Sequence, residues 1–133
     1  MTAQLLLDTH IVLWWIYEPK KLSRDQTRML DNVVRNGECV GLSAMTLLEI
    51  ATMNEAKQRL TFRLDDAFQV LDTNPAFQIF PITTEIAREV AAMGDALRDP
   101  GDRVIVATAR VLRLKLVTSD ERIIASRLVP IIE

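Results

Sequence analysis

One cysteine, one histidine and four glycines in 133 residues are scarce enough to exclude several kinds of protein. The lone thiol, Cys39, closes no internal disulfide, which fits a reducing compartment. Gly37, Gly41, Gly94 and Gly101 form no glycine-rich phosphate loop, so nucleotide binding of that kind is not supported. No long hydrophobic run is present. The apolar stretch from Leu5 to Tyr17 is broken by Asp8 and His10, lacks a basic leader, and is too short to span a bilayer. A cytoplasmic protein without a membrane partner is the expectation. A strong charge of one sign is missing too: sixteen Lys and Arg stand against eighteen Asp and Glu, a net charge of −2. Long-range attraction to phosphate favours a basic surface, so any contact with nucleic acid must rest on a local site.

What remains is ordinary for a globular chain: 49% hydrophobic and 26% charged residues, with no repeats and no low-complexity tract. The length suits one domain over residues 1–133, with one core and no linker. At this size a fold buries about two thirds of the surface its unfolded chain exposes, enough to do without staples.

Apolar runs alternate with helical patterns along the chain. Gln4 to Asp8 reads as a strand buried on both faces, the kind found in parallel sheets covered by helices. Ile11 to Tyr17 reads as a helix, and a second runs from the cap residue Ser23 to about Asn36, with Gly37 as a stop. A strand over Cys39 to Leu42 leads to Ser43, which caps an apolar helix through Ile50. Helical stretches are expected over Glu55 to Arg59 and Asp65 to Asp72. A strand follows at Phe77 to Phe80, then a helix capped by Thr83 or Thr84 and ending near Met93. Asp99-Pro100-Gly101-Asp102 starts a long buried helix, since proline suits the first helical position and acids the first turn. Lys115 to Thr118, Asp120 to Ser126 and Leu128 to Ile132 close the series as strand, helix and strand. The alternation predicts an α/β domain in three layers, α/β/α, around a central mostly parallel sheet.

Four acids stand out in that frame. Asp8 and Asp120 each follow an apolar run, so parallel strands would project both at the carboxyl edge, where such sheets collect ligands. Asp102 lies in the first turn of the long helix. Glu49 falls on or near the inward face of an apolar helix, an odd place for an unpaired charge. Each has a plainer reading of its own. Asp8 and Asp120 suit turns or caps. Glu49 suits an arginine partner. Asp99 suits a helix cap, with Asp102 reaching back to the Asp99 backbone N–H as in a capping box. Together they are harder to explain, because few basic residues flank them closely, Arg103 and Arg122 excepted. Two carboxylates about 4 Å apart repel by roughly 4 kcal/mol at an effective dielectric constant of 20. Protons or a cation must balance such a cluster. With no second histidine and no ligand cysteine, oxygen donors favour Mg²⁺ or Mn²⁺ over Zn²⁺.

These motifs resemble the PIN-domain family, and within it the VapC toxins of toxin–antitoxin pairs. The matching pieces are Leu6 to His10 followed by Trp14-Trp15, Ser43 to Ile50, Asp99 to Arg103 followed by Ile105 and Ala107 to Ala109, and Leu116 to Asp120. They keep the family's order and spacing over essentially the whole chain. The resemblance implies a metal-dependent endoribonuclease that hydrolyses phosphodiesters with a metal-activated water, leaving a 5′-phosphate and a 3′-hydroxyl. It implies Asp8, Glu49 and Asp102 as principal Mg²⁺ or Mn²⁺ ligands, and Asp120 as a fourth acid that often acts through water. RNA as substrate, a VapB-like antitoxin and a homodimer are implied as well. Asp99 stands lower, since capping already explains it.

The polar neighbours divide between support and structure. Thr9, Thr118 and Ser119 sit beside the acids, where hydroxyls orient carboxylates or meet phosphate. Ser43 is read as a cap, His10 as structural, Trp14 and Trp15 as core or dimer contacts, and Cys39 as buried. Lys57, Arg59 and Arg63 are read first as a solvated helix face and second as a guide for an RNA backbone. Apolar side chains over Trp14 to Tyr17 and Met53 to Leu64 are the expected antitoxin groove. The competing readings fit less well. A phosphatase with one acidic nucleophile would want a second Asp where His10 stands, and a receiver-like domain would want a lysine after the late strand. A catalytically inactive PIN-like binding module is the non-enzymatic alternative.

Overall fold

The computed structural model describes residues 3–133. Five short strands are laid down in the order β3-β2-β1-β4-β5: β1 (Leu5–Leu7), β2 (Val40–Ser43), β3 (Phe77–Phe80), β4 (Lys115–Val117) and β5 (Ile131–Ile132). Every pairing is parallel, so the sheet goes beyond the mostly parallel expectation. The helices are α1 (Thr9–Tyr17), α2 (Arg24–Arg35), α3 (Ala44–Ala51), α4 (Leu64–Thr73), α5 (Thr84–Ala92), α6 (Pro100–Leu112) and α7 (Glu121–Ser126).

Alternation along β1 shows why two helical layers are required. Leu5 and Leu7 face a cluster with Ile11, Val12, Leu30, Ile50 and Leu71, contributed by α1 to α4. Leu6 faces the opposite cluster, with Ile86, Ile105, Val106 and Ile123 from α5, α6 and α7. All three leucines are buried, as a strand covered on both faces demands. The three-layer α/β/α arrangement is therefore observed.

Local signals account for most boundaries. Ser23 and Gln26 make a reciprocal capping box at the start of α2, Ser43 caps α3, and Thr83 rather than Thr84 caps α5. Asp99 caps α6 just before Pro100. Two expectations are corrected. Residues Glu55 to Arg59 form turns, not a helix: the Asn54 N–H donates to the Gln58 side chain, the Lys57 N–H donates to the Asn54 side chain, and Arg59 takes a left-handed φ of 49°. The last strand shrinks to Ile131–Ile132, because the chain turns through Arg127 at φ 56° after α7.

The topology also places the site. Leu7 pairs with Val117, so β1 and β4 end side by side although 109 positions separate their last residues in sequence. The chain leaves β1 toward β2 on one side and returns as β4 on the other. That reversal opens a crevice at the carboxyl ends of β1 and β4. Helix α3, in contact with α1, α4 and α6, borders it. No helix among the described residues is long and apolar enough to cross a membrane.

Candidate metal centre

Asp8 continues β1 by one residue, its N–H donating to the Val117 carbonyl at 3.0 Å. Asp8 is 4% exposed, and each of its carboxylate oxygens accepts a hydrogen bond. Oδ1 accepts from the Thr9 N–H at 2.8 Å and Oδ2 from the Thr118 hydroxyl at 2.7 Å. Asp8 thus caps α1 and bridges to β4 at once. His10 lies against the same carboxylate, Nδ1 to Oδ2 at 3.4 Å, while its Nε2 accepts from the Ser119 N–H at 3.2 Å. Because Nε2 accepts, the ring proton sits on Nδ1 and faces Asp8.

Glu49 reaches the crevice from α3. Its Oε1 accepts from the Thr9 hydroxyl at 2.5 Å, and Thr9 in turn lies 3.0 Å from the Thr46 hydroxyl. With Thr9 donating to the carboxylate, Thr46 supplies the proton between the two threonines. No arginine meets Glu49 in an ion pair among the described residues. Burial foremost, then the charges of Asp8 and Asp99, raises the Glu49 carboxyl above its ordinary value, against the lowering pull of the Thr9 hydroxyl.

The start of α6 supplies the remaining acids. Asp99 Oδ2 accepts from the Asp102 N–H at 3.0 Å, so Asp99 is the cap and the Asp102 carboxylate is left to the crevice. No return bond from the Asp102 side chain to the Asp99 N–H forms among the described residues, which corrects the capping-box expectation for that residue. Gly101 stands where α6 meets α3: a Cβ there would lie 2.5 Å from Glu49 Oε2. Asp102 is pushed up to about 7, first by burial and then by the charges of Asp99, Asp8, Asp120 and Glu49.

Oxygens of Glu49, Asp99 and Asp102 all lie within 4.8 Å of one another. Asp8 stands at the border of this triplet, close enough for its charge to raise both Glu49 and Asp102. Asp120 lies outside the triplet, near enough for its charge to raise Asp102. It caps α7 by accepting from the Arg122 N–H at 2.9 Å, and its own N–H donates to Thr118 Oγ1 at 3.1 Å. Asp99 is therefore nearer the centre of the cluster than its place in the sequence suggests, and Asp120 further out.

Arg103, the basic neighbour that sequence alone offers as a counter-charge, is turned away. Its guanidinium donates to the carbonyls of Val90, Gly94 and Leu97 at 2.7, 2.6 and 2.5 Å. The donor set is then all oxygen, partly buried and without a paired cation among the described residues. Such a set fits a divalent ion with hard-ligand preferences.

Gln26 is the contributor that sequence reasoning missed. It is fully buried, and its amide donates to Ser119 Oγ at 2.9 Å and to the Thr118 carbonyl at 3.4 Å. The loop that carries Asp120 is thereby tied to the start of α2. The Ser23-x-x-Gln26 pattern was a visible capping signal, but nothing local reveals its second bond to a residue 93 positions away. Trp14, Trp15, Tyr17, Met53, Phe62 and Leu64 pack against the core on the α1 side, Tyr17 stacked on Phe62 at 4.2 Å. Each is only half-buried, so part of its apolar surface stays accessible. The large apolar side chains left exposed are Val34, Leu48, Ile82 and Leu112.

Fold and site together define a doubly wound α/β protein with an acidic crevice, suited to a cation, at the sheet's switch point. The PIN-domain model matches residues 5–127, and the chain belongs to the PIN-domain family. Ribonuclease VapC22 of Mycobacterium tuberculosis (strain ATCC 25618 / H37Rv) is 30% identical over 128 residues, covering 92% of each chain. Among solved structures, VapBC2 from Rickettsia felis bound to a promoter DNA fragment superposes with a TM-score of 0.69 at 12% identity, over 96% of both chains. FitAcB from Neisseria gonorrhoeae gives 0.67 at 22% identity, over 97% of this chain and 96% of the other. A toxin–antitoxin complex from Klebsiella pneumoniae gives 0.63 at 20%, over 99% and 97%.

Proposed function

We propose that this chain, folded as one domain, is an endoribonuclease dependent on Mg²⁺ or Mn²⁺ and the toxin of a VapBC-type pair. The observation that carries the reading is the triplet of Glu49, Asp99 and Asp102 oxygens within 4.8 Å, beside Asp8 and with no cation paired to it. Glu49, Asp99 and Asp102 would hold the ion directly, with Asp8 and Asp120 completing the charge around it. Bound there, a divalent ion supplies charge balance for the phosphate and a more acidic water for hydrolysis. The protein's own residues fix the donors. Thr9 and Thr46 orient Glu49, Thr118 and the His10 ring hold Asp8, and Gln26 holds the loop of Asp120.

Similarity to Ribonuclease VapC22 supports RNA as the substrate, and the solved toxin–antitoxin assemblies support a VapB-like antitoxin as the partner. A homodimer in the cytoplasm completes the reading. The test is cleavage of a mixed RNA pool by purified protein with Mg²⁺, Mn²⁺ or EDTA, beside an Asp8→Asn control. Metal-dependent cleavage that the substitution abolishes, with 5′-phosphate ends, is the expected result. A 2′,3′-cyclic phosphate product would refute the hydrolytic route. A folded protein that neither cuts RNA nor binds Mn²⁺ would be an inactive binding module instead.

A further inference from the structure

Beside the acid triplet the surface opens into a groove. One wall is the stretch from Asp95 to Leu97 and on through Arg98, and the other is α7, presenting Arg122 and the short side chains of Ala125 and Ser126. Asp99 and Asp102 lie in the same groove, so it runs directly into the metal centre. Arg98 and Arg122 are both exposed, and among the described residues neither guanidinium enters an ion pair or a hydrogen bond. Arg103 behaves in the opposite way. Its three bonds to carbonyls of Val90, Gly94 and Leu97 pin the segment that presents Arg98, so this cation sits on a fixed wall.

We propose that this groove seats the RNA backbone, with Arg98 and Arg122 holding phosphates that flank the one at the acid centre; the assignment rests on the ribonuclease reading above. Charge explains the order of events. Asp95 and Asp99 already offset the two arginines, with Asp102 beside them, so without a cation the groove has no net pull on phosphate. A divalent ion on the triplet makes the groove positive, and the two free guanidinium groups then offer planar, forked donors suited to phosphate oxygens. RNA is seated only after the ion. This also resolves how a protein of net charge −2 recruits RNA. The attraction is confined to a groove whose acids are committed to the ion, and the remainder of the surface need not be basic. Lys57, Arg59 and Arg63 belong to a different region, the turns beside α4, and are not part of the groove.

The experiment measures anisotropy of a short fluorescent single-stranded RNA on the Asp8→Asn chain with Mn²⁺, across a salt series, with Mn²⁺ binding followed in the same samples. Adding Arg98→Gln and Arg122→Gln should weaken binding about 10-fold at low salt and lower the slope of log affinity against log salt by about 1.4, two single-strand contacts at about 0.7 each. Mn²⁺ affinity should hold or rise, because positive charge has left its surroundings. Arg98→Lys with Arg122→Lys should keep the slope, whereas charge reversal at Lys57, Arg59 and Arg63 should not alter it. An unchanged slope in the Gln variant, or a slope that follows the Lys57 group instead, overturns the groove. Wild-type cleavage separates the two readings. A cleaving protein with an unchanged slope refutes the groove alone, and a lowered slope in a protein that cuts nothing refutes the nuclease while the groove stands.

Discussion

Gly101 and Glu49 are in such close register that a single added methyl would lie 2.5 Å from the carboxylate oxygen Oε2. The glycine is in the first turn of α6 with ordinary helical backbone, so its role is space and not conformation. Its vacancy lets an acid from α3 meet two acids from α6.

Gly101→Ala therefore separates site from stability. Alanine favours a helix over glycine by about 0.8–1 kcal/mol, so the helix itself gains. Glu49 must retreat, and Mn²⁺ affinity should fall at least about tenfold, in the range reported for disturbed ligand support. Thermal unfolding read beside Mn²⁺ titration checks this. Full metal affinity in the variant would mean that Glu49 is not a ligand.

Thr9→Val replaces the hydroxyl with a methyl of similar size. The bond that lowers Glu49 is lost while the forces that raise it remain, so the Glu49 carboxyl should move further up. Mn²⁺ binding should weaken about 10- to 100-fold at pH 7 and recover partly at higher pH. Loss that is the same at every pH would show that Thr9 acts on geometry alone.

Metal-free stability should depend on pH in an unusual direction. Asp102 stands at about 7 in the fold against 3.8 for an ordinary Asp, so the folded state prefers its protonated form. That preference is fully expressed below about pH 3.8 and lost as the pH rises through about 7. The apo protein should then melt at lower temperature at pH 8 than at pH 5.5, with Glu49 acting in the same sense. Mn²⁺ should remove the drop, and Asp102→Asn should flatten it while abolishing cleavage. A melting temperature that rises from pH 5.5 to pH 8 without metal would contradict the raised value.

Gln26→Met keeps the volume and removes the polar end. It cuts the capping bond to the Ser23 N–H and both bonds to the loop at Thr118 and Ser119. A loss of about 1–3 kcal/mol in urea unfolding is expected, from the cap and the unsatisfied partners. Cleavage should fall further than Ser23→Ala reduces it, since only Gln26 touches the Asp120 loop. Equal losses in the two variants would reduce Gln26 to a cap.

Sequence periodicity was enough for the layered fold, because Leu5 to Leu7 and Leu116 to Val117 are apolar on both faces and only a covered parallel strand requires that. It also brought Asp8 and Asp120 to one edge, since both follow strands. It failed where distant groups decide a local choice. Asp99 caps α6 as its place before Pro100 implies, but the Asp102 carboxylate, expected to reach back to the Asp99 N–H, is left beside Glu49, and no window around residue 100 contains Glu49. Arg103 looked like a counter-charge, and only the path of residues 90–97 reveals three carbonyls competing for it. The turns at Glu55 to Arg59 have helical composition, but Asn54 and Gln58 satisfy the backbone in another way.

The pairing of β1 with β4 bears on the order in which the acidic crevice can assemble. Thr118, which grips Asp8, follows it 110 residues later in the chain. Non-local pairings of this kind form only after the intervening chain exists. A chain synthesised through Asp8, Glu49 and Asp102 still lacks the strand that fixes the first of them, so the acidic crevice cannot take its final form until β4 has been made.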